Sequence, residues 1–408
     1  MKSMIYFEFA KIFRRKVNVI VMLAGIVLMV VCAVNYVRQE PFYDKASGTY
    51  VNGREAFRLE EKANNEMTDY LTEEYLTGVV EGIQEKYIDM DMESDKAYEQ
   101  VIQTKEDLIS LICKNYADVG EEMDWNKLNE ISTEDGIGFY ERRLDKVEER
   151  LNMDFSYGNY SEAEKEFWME KEKEVQTPFA WGDKTVMNKI WTMMEVGFYF
   201  LFVIAVCTAP VFASEYESGA SALLLTTRYG KTKLIYAKIL ASVLFALVYT
   251  AVGLGIGVGI LGLAVGFHGA ELPVQLWDSI IPYDWSIGKT LWISFAIILL
   301  IGLMISLLTL LLSARVKSGL STLVIMFALL VGPTFLPMSK TSGLWNHINY
   351  LFPVRVTMTK EAISTLNSYQ FGPVILSYLG MAVLTYVVVS VISFFGIGNG
   401  FARHQVSK

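Results

Sequence analysis

Three stretches of the sequence contain the residue types of nucleotide-binding loops, but none has the surroundings that such a loop needs. Residues 257–262 read G-x-G-x-x-G within an apolar run, without a preceding strand or an acidic partner. A dinucleotide site requires both. Residues 230–232 and 288–290 read Gly-Lys-Thr, the end of a phosphate-binding loop, whereas Leu225 and Tyr283 occupy the positions of its first glycine. We therefore expect no cofactor to bind to this chain alone.

The cysteines and histidines are too few and too dispersed to form a typical metal centre. They are Cys32, Cys113, Cys207, His268, His347 and His404. None stands at a ligand-type spacing from another, whereas structural zinc sites are built from closely spaced pairs. The sequence also lacks H-E-x-x-H and paired intramembrane aspartates. It therefore predicts no metal site and no catalytic residues.

Carboxylates at membrane depth are another possible source of chemistry, because ion-coupled transporters use them to bind and relay ions. Glu195 is the only acidic residue within the long apolar runs. It lies near the end of its run, where a carboxylate at the water boundary is the simplest interpretation. A secondary transporter is therefore disfavoured, and any energy source must lie outside this chain.

The elements that would position these residues are membrane helices. Runs of about 20 apolar residues can cross the hydrocarbon layer as helices. Such runs occupy 17–37, 192–213, 235–266, 289–313, 319–338 and 373–396. In the third run, Gly255 with Gly259 and Gly262 with Gly266 form small-xxx-small pairs, which favour close helix contact. The sequence thus predicts an all-α polytopic membrane protein with six transmembrane helices.

The region between the first two runs differs in charge from the rest. Residues 38–190 contain 19 Lys and Arg against 37 Asp and Glu, whereas the remainder contains 17 against 8. Apolar residues in 38–190 recur at helical spacing, so we expect an acidic, mainly helical domain there. Residues 1–37 would form an amphipathic segment and the first transmembrane helix, and 191–408 the other five. A secretory leader is the competing interpretation of the N-terminus, but its apolar run is too long.

Basic residues indicate the orientation, because Lys and Arg are enriched in cytoplasmic loops. With six spans, the basic residues of 1–16, 214–238, 315–317 and 403–408 all fall on one side. We therefore expect cytoplasmic N- and C-termini. The acidic domain would then be extracellular.

A short charged interruption, SEYESGASALLLTTRYGKTK at 214–233, separates the second and third runs. Ser214 and Glu217 match the S-x-x-E capping box of a helix N-terminus, and Leu223 and Leu224 share an apolar face. The basic residues that follow suit a helix C-terminus at the cytoplasmic surface. The sequence therefore predicts an amphipathic helix that another protein could move. A solvated connector is the alternative interpretation.

The amphipathic N-terminus, the six spans and this interruption together resemble the permease subunit of an ABC-2 type (type V) ABC transporter. The interruption matches the family pattern at Glu215, Gly219, Leu224, Leu225, Arg228 and Lys238. Thr226 and Thr227 stand where the family commonly has proline. The resemblance covers residues 1–37 and 190–400.

In that family, the helix after the second span is a coupling helix that docks onto a separate ATP-binding subunit. The resemblance implies such a helix near 214–231. The implied ATPase-coupling residues are Glu215, Glu217, Gly219, Leu223, Leu224, Arg228 and Lys238. The two glutamates would carry negative charge at its N-terminal end, and the two leucines would enter an apolar groove of the partner. ATP and Mg²⁺ would bind to that partner, and a second permease copy would complete a homodimer or heterodimer.

These expectations describe a multi-pass permease of a bacterial plasma membrane, embedded in the lipid bilayer. It would export a substrate with energy from the ATP-binding subunit and would not itself be an enzyme. A different class remains open, in which the chain is an extracellular ligand sensor or mechanotransmission subunit without transport. No nucleic acid partner is expected.

Overall fold

Helices dominate the computed structural model. It describes residues 1–44, 47–86, 92, 94, 102, 105–119, 123–153, 160–227, 229–339 and 342–402. Within these residues, strands form only two short antiparallel hairpins. The expectation of a mostly helical membrane protein is confirmed, although the hairpins were not predicted.

The N-terminal segment folds into two helices separated by one residue. Helix α1 spans Lys2–Arg14 and α2 spans Lys16–Gln39, with Arg15 extended between them. Asn18 fixes the junction, because its Nδ2 donates a hydrogen bond to the carbonyl of Ile12 (2.9 Å) in a buried position. Helix α2 is long and apolar enough to cross a membrane.

The following region, residues 38–184, is called the polar domain below. Its elements are β1 (Pro41–Asp44), β2 (Thr49–Asn52), α3 (Arg54–Asn65), α4 (Glu73–Lys86), α5 (Glu106–Tyr116), α6 (Lys127–Glu130), α7 (Phe139–Asn152) and α8 (Glu162–Glu172). The two strands pair antiparallel, with Phe42 opposite Val51. Apolar faces of the helices meet in a core that includes Phe139 and Phe179, which are almost fully buried.

The second span is one helical run in three pieces. They are α9 (Thr185–Val196), α10 (Phe198–Thr208) and α11 (Pro210–Glu217). Pro210 has no amide hydrogen, and a proline is best tolerated where a helix begins, as it does in α11. The predicted capping box is wrong, because Ser214 lies inside α11 rather than before a helix.

A bend follows α11 and divides the segment that the sequence predicted as one helix. Gly219 takes φ +72°, and the short helix α12 (Ala220–Thr226) begins after it. This left-handed conformation has little cost only for glycine. The chain therefore turns sharply between α11 and α12.

The third and fourth spans are continuous helices, α13 (Lys233–Val265) and α14 (Ile287–Val316), of 33 and 30 residues. At 1.5 Å per residue they are about 50 and 45 Å long. The hydrocarbon layer is about 30 Å thick, so both helices extend beyond it. The connection between them contains a 3-10 turn at Val274–Leu276.

The next apolar run is shorter. Helix α15 (Gly319–Val331) continues as a 3-10 turn at Gly332–Phe335. The last elements are α16 (Gly343–Tyr350), α17 (Pro353–Val356), α18 (Thr359–Ser364), β3 (Ser368–Phe371), β4 (Val374–Ser377) and α19 (Tyr378–Ala402). Five helical runs have the length and hydropathy of a membrane span, and Gly319–Phe335 is the shorter apolar helix. The count of six spans therefore stays a prediction.

The connections gather at two ends of the helix bundle. At the basic end, α1, α11, α12 and the 317–318 connection meet; there Glu217 accepts a hydrogen bond from the amide of Gly319 (2.9 Å). At the opposite end, the polar domain contacts both long connections. Arg143 donates to the carbonyl of Ser279, and Trp168 Nε1 donates to Ser368 Oγ (3.3 Å). This grouping agrees with the predicted topology, while its sidedness stays a prediction.

Candidate functional site

A buried cluster of charges joins three elements at the basic end. Lys238 of α13 is 1% exposed, and its Nζ lies 2.8 Å from Glu8 Oε2 of α1 and 2.6 Å from Glu215 Oε1 of α11. The same ammonium donates a hydrogen bond to the carbonyl of Val211 (3.2 Å). Lys11 completes the cluster, with its Nζ 2.8 Å from Glu8 Oε1.

The balance of charge explains why the Glu8 carboxylate remains ionised away from water. Burial alone would raise the pKa of Glu8, but the positive charges of Lys238 and Lys11 outweigh it and hold that pKa below its usual range. Removing one partner of a buried ion pair typically costs about 3–5 kcal/mol, because the other charge is left uncompensated. The cluster therefore fastens α1 and α11 to the third span.

The sequence predicted two of the four members of this cluster as coupling residues and missed Glu8 and Lys11. Glu215 and Lys238 were expected to face a partner subunit, whereas the structure places both inside the chain. Glu8 was not selected. Its signal is that it is the only acidic residue among the basic residues of 1–16, on the amphipathic helix α1.

The other predicted coupling residues lie around the bend. Leu223 is 72% exposed, Leu224 is half-buried, and Gly219 forms the turn before them. Glu217 faces the connection to α15, where its carboxylate accepts a hydrogen bond from the amide of Gly319. Arg228 lies outside the described residues.

A groove runs between α1 and the bend. Its volume is about 540 Å³, and its lining includes Phe7, Leu223 and Leu224 as apolar residues. Arg14 and Arg15 line it as well, and the Glu8–Lys238–Glu215 cluster forms part of its wall. The groove therefore offers an apolar surface with basic residues beside it, next to the buried ion pairs that join α1, α11 and α13.

The predicted glycine contacts are distributed differently in the third span. No atom of the described chain lies within 4 Å of a Cβ placed on Gly255 or Gly259, so neither makes a close contact within the chain. The close approaches are at Gly253, against the ring of Phe200, and at Gly257, whose Cβ would lie 2.5 Å from Met29 Sδ.

The second predicted pair of glycines acts near the end of the same helix. Gly262 lies against the ring of Phe267, and Gly266 takes φ +91° just after the last residue of α13. Both therefore shape the turn at the helix end, with contacts to neighbouring residues of the chain rather than to another span.

Glu195 lies where α9 faces the polar-domain end. Its Oε1 accepts a hydrogen bond from Trp191 Nε1 (2.8 Å), one turn earlier in the helix. It lines a cavity together with Arg355 and Lys360. The carboxylate is thus stabilised locally by a neighbouring indole.

The sequence model of a family described as ABC-2 family transporter protein matches residues 7–398. This match covers the second half of α1, every predicted span and the polar domain. The chain belongs to the ABC-2 transporter family. Comparison with curated proteins found no match, and neither did comparison with solved structures.

Membership of this family gives the chain a role. It is a membrane permease of an ABC transporter. Permeases of this family are membrane components without a nucleotide-binding motif of their own, and they generally work with an ATP-binding subunit. The resemblance to ABC-2 type permeases, which the sequence analysis drew from the 214–238 segment and the span pattern, is therefore confirmed.

Proposed function

We propose that the permease exports a substrate across the plasma membrane of a bacterium, driven by a separate ATP-binding subunit that docks at the basic end. The observation that carries this proposal is the position of α12. Its Leu223 is 72% exposed at the rim of the 540 Å³ groove, while the preceding helix is fastened to two other elements by buried charges. Helix α12 thus exposes a leucine to a partner, while the helix before it is held in place by ion pairs. This combination suits a helix that transmits force.

The buried cluster would carry a displacement of α12 into the membrane. Because α11 follows directly from α10, and Glu215 is paired with Lys238, a push on α12 would move the second and third spans together. Glu8 would bring α1 with them. Packed helices shift as units rather than deform continuously, so a movement at the basic end would reach the far end of the spans.

This mechanism divides the coupling residues into two groups. Leu223 and Leu224, with Phe7 across the groove, would contact the ATP-binding subunit. Glu215 and Lys238 would connect the second span to the third, and Gly219 would set the angle between α11 and α12. Arg14 and Arg15 beside the groove favour an acidic rim on the partner.

We further propose that a second permease copy packs against the third span. A Cβ placed on Gly255 or Gly259 has no other atom of the described residues within 4 Å, and Gly255 lines an apolar groove of about 310 Å³. Trp292 on the same groove is 73% exposed. Small residues at a helix surface allow close approach of another helix in a membrane. The partner copy can be identical or a related chain.

The test of the proposal is Leu223→Asp. Truncating or charging a contact residue of this kind typically costs about 1–3 kcal/mol of binding, which is roughly 5- to 150-fold in affinity. We expect the ATP-binding subunit that co-purifies with the wild-type permease to be lost from the variant, and its substrate-stimulated hydrolysis to fall, while the variant keeps the wild-type thermal unfolding midpoint.

Leu144→Asp is the matched control, because Leu144 is a partly exposed leucine (39%) in the polar domain. It should leave ATPase association unchanged. Retention of the ATP-binding subunit by Leu223→Asp would remove α12 as the docking element. The absence of any ATP-binding subunit from the wild-type preparation would count against ATP-driven export as a whole.

A further inference from the structure

A cavity of about 890 Å³ lies where the polar domain meets the membrane helices. We call it the junction cavity. Its lining comes from the polar domain, from α9, from the connection before α14 and from the segment between α15 and α19. Four of its lining residues are cations, Lys114, Arg150, Arg355 and Lys360, and three are carboxylates, Glu195, Asp278 and Glu361.

Two of the cations have no anionic partner within the part of the chain that the structure describes. The guanidinium of Arg355 forms no salt bridge there, and its Nε is buried without a hydrogen-bond partner. Lys360 Nζ lies 5.5 Å from the ring centroid of Trp277 and likewise forms no ion pair. A buried donor of this kind costs free energy until a partner satisfies it.

None of the three carboxylates forms a salt bridge with Arg355 or Lys360 in the part of the chain that the structure describes, although the charge of Asp278 acts on Lys360. Glu195 is engaged by the indole of Trp191, Asp278 accepts the backbone amide of Ile280 (3.3 Å), and Glu361 is exposed. Burial lowers the pKa of Lys360, and the nearby charges of Lys114 and Lys184 lower it further. Asp278 and Asp107 raise it by less, so the charges around the Lys360 ammonium are positive on balance.

The walls of the cavity indicate the rest of the ligand. Trp191 and Trp277 pack with ring centroids 5.3 Å apart, and Tyr350 and Tyr378 with centroids 5.4 Å apart. All four line the cavity. Tyr378 is the first residue of the last span, so the cavity lies at the level where that helix begins. Aromatic rings beside a cationic group at this depth match a molecule that is charged at one end and apolar at the other.

We infer that the junction cavity binds the oxyanion group of an amphiphile, a phosphate or a carboxylate attached to an apolar body, with Arg355 and Lys360 as its direct contacts. Arg presents a planar fork that fits such an oxyanion bidentately, and Lys adds a point charge. The oxyanion can be carried by an anionic lipid of the adjacent leaflet or by a soluble organic phosphate.

Calorimetric titration of the full-length permease in detergent tests the inference with three probes that separate the net charge of the head group from the apolar chains. They are dihexanoyl phosphatidylglycerol, dihexanoyl phosphatidylcholine and glycerol 1-phosphate. We expect the anionic lipid to bind about tenfold or more tightly than the zwitterionic one. If glycerol 1-phosphate binds much more weakly than phosphatidylglycerol, the source is a lipid. Equal affinities for these two probes would show that the site recognises the phosphate alone, and would overturn the part of the inference that gives the ligand an apolar body.

Variants link the binding to the cavity. Arg355→Gln and Lys360→Gln should each lower the affinity for the anionic probe by about tenfold or more, because each removes one charge-assisted hydrogen bond. Arg355→Lys should recover part of the loss, since it keeps the charge without the fork. Lys62→Gln, an exposed cation of the polar domain, is the matched control and should change nothing.

Thermal unfolding midpoints show whether the variants are folded before affinities are compared. Equal binding of phosphatidylglycerol and phosphatidylcholine, together with no binding of glycerol 1-phosphate, would overturn the inference. Undiminished anion binding in folded Arg355→Gln and Lys360→Gln would overturn it as well, because the anion would then lie elsewhere.

Discussion

The two ends of the permease hold buried charge in opposite ways. At the basic end, Lys238 lies between Glu8 and Glu215, so positive and negative charge compensate one another inside the fold. At the polar-domain end, Arg355 and Lys360 line an open cavity without a carboxylate partner among the described residues. A compensated cluster fastens elements together, whereas an uncompensated one favours an anion from outside.

The comparison assumes that the two ends of the permease face opposite sides of the membrane. Thiol labelling of introduced cysteines tests this assumption, with an all-or-none outcome. Native Cys113 is buried, so its labelling would not show which side of the membrane it faces. Cysteines are therefore introduced at the exposed positions Ser47 and Ser218, in a Cys32→Ala background. We expect an impermeant thiol reagent to label Ser47→Cys in intact cells and Ser218→Cys only after permeabilisation. The reverse pattern would invert the orientation derived from the basic residues.

Loss of the central cation should have the largest effect on stability. Lys238→Met leaves Glu8 and Glu215 buried without their common partner, and we expect the free energy of unfolding to fall by about 3–5 kcal/mol. Thermal and denaturant unfolding of the purified permease measure it. Lys62→Met, which breaks only an exposed pair, should change stability by less than about 1 kcal/mol.

A compensating variant shows whether Lys238→Met destabilises the basic end through unpaired charge or through altered packing. Adding Glu8→Gln and Glu215→Gln to Lys238→Met removes the uncompensated carboxylates, so most of the lost stability should return. If the triple variant is no more stable than Lys238→Met, the loss reflects packing, and the cluster would not be the ionic link described above.

The two ends should also respond to pH with opposite sign. Burial and the charge of Asp183 raise the pKa of Glu60, in the polar domain, from 4.5 to about 8. The folded form therefore keeps a proton that the unfolded chain releases, and stability should fall by up to about 4 kcal/mol as pH rises from 5 to 8. The lowered pKa of Glu8 has the reverse consequence, since its contribution is lost as pH falls below 4.5.

Unfolding midpoints across this pH range check the polar-domain part of the prediction. Glu60→Gln should remove most of the decline. A smaller decline should remain from His268, whose pKa is raised by its hydrogen bond to Asp183 and whose contribution is lost as pH rises through that value. Glu55→Gln, at an exposed position, is the control. A profile that is flat in the wild type would contradict the prediction.

The smallest expected effect distinguishes contacts within the chain from contacts between copies. Gly253→Leu places a side chain against Phe200 and should cost about 1–3 kcal/mol of stability by overpacking. A Cβ at Gly255 has no other atom of the described residues within 4 Å, so Gly255→Leu should leave the monomer unchanged while lowering the dimer fraction. Light scattering and unfolding separate the two results. Unchanged dimer content in Gly255→Leu would place the second copy on another face.

The family assignment is confirmed, and five of the predicted spans coincide with helices long and apolar enough to cross a membrane, because both predictions rest on local properties. Hydropathy over about 20 residues marks a membrane helix wherever the helix packs. The 214–238 segment carries the family pattern in consecutive positions, so it could be identified without contacts. The capping box failed for the same reason: Ser214 and Glu217 have the right spacing, but the preceding helix continues past them.

Residue roles depended on contacts that no local pattern contains. Glu8 and Lys238 are 230 positions apart, and their ion pair exists only because α1 folds back onto the third span. Small-xxx-small spacing occurs at both Gly253–Gly257 and Gly255–Gly259, and only the rotation of the helix decides which pair meets its own chain.

The sequence by itself determined that the chain is a membrane permease with an acidic stretch between its first two apolar runs, while the side on which its basic segments lie stays a prediction. Tertiary structure decided which charges are paired and which face a cavity. The physical reason is that hydropathy and net charge add up along the chain, whereas the cost of burying a charge depends on the groups that other elements bring beside it. Glu215 is paired with Lys238 inside the chain, and Arg355 lines the junction cavity, only through such neighbours.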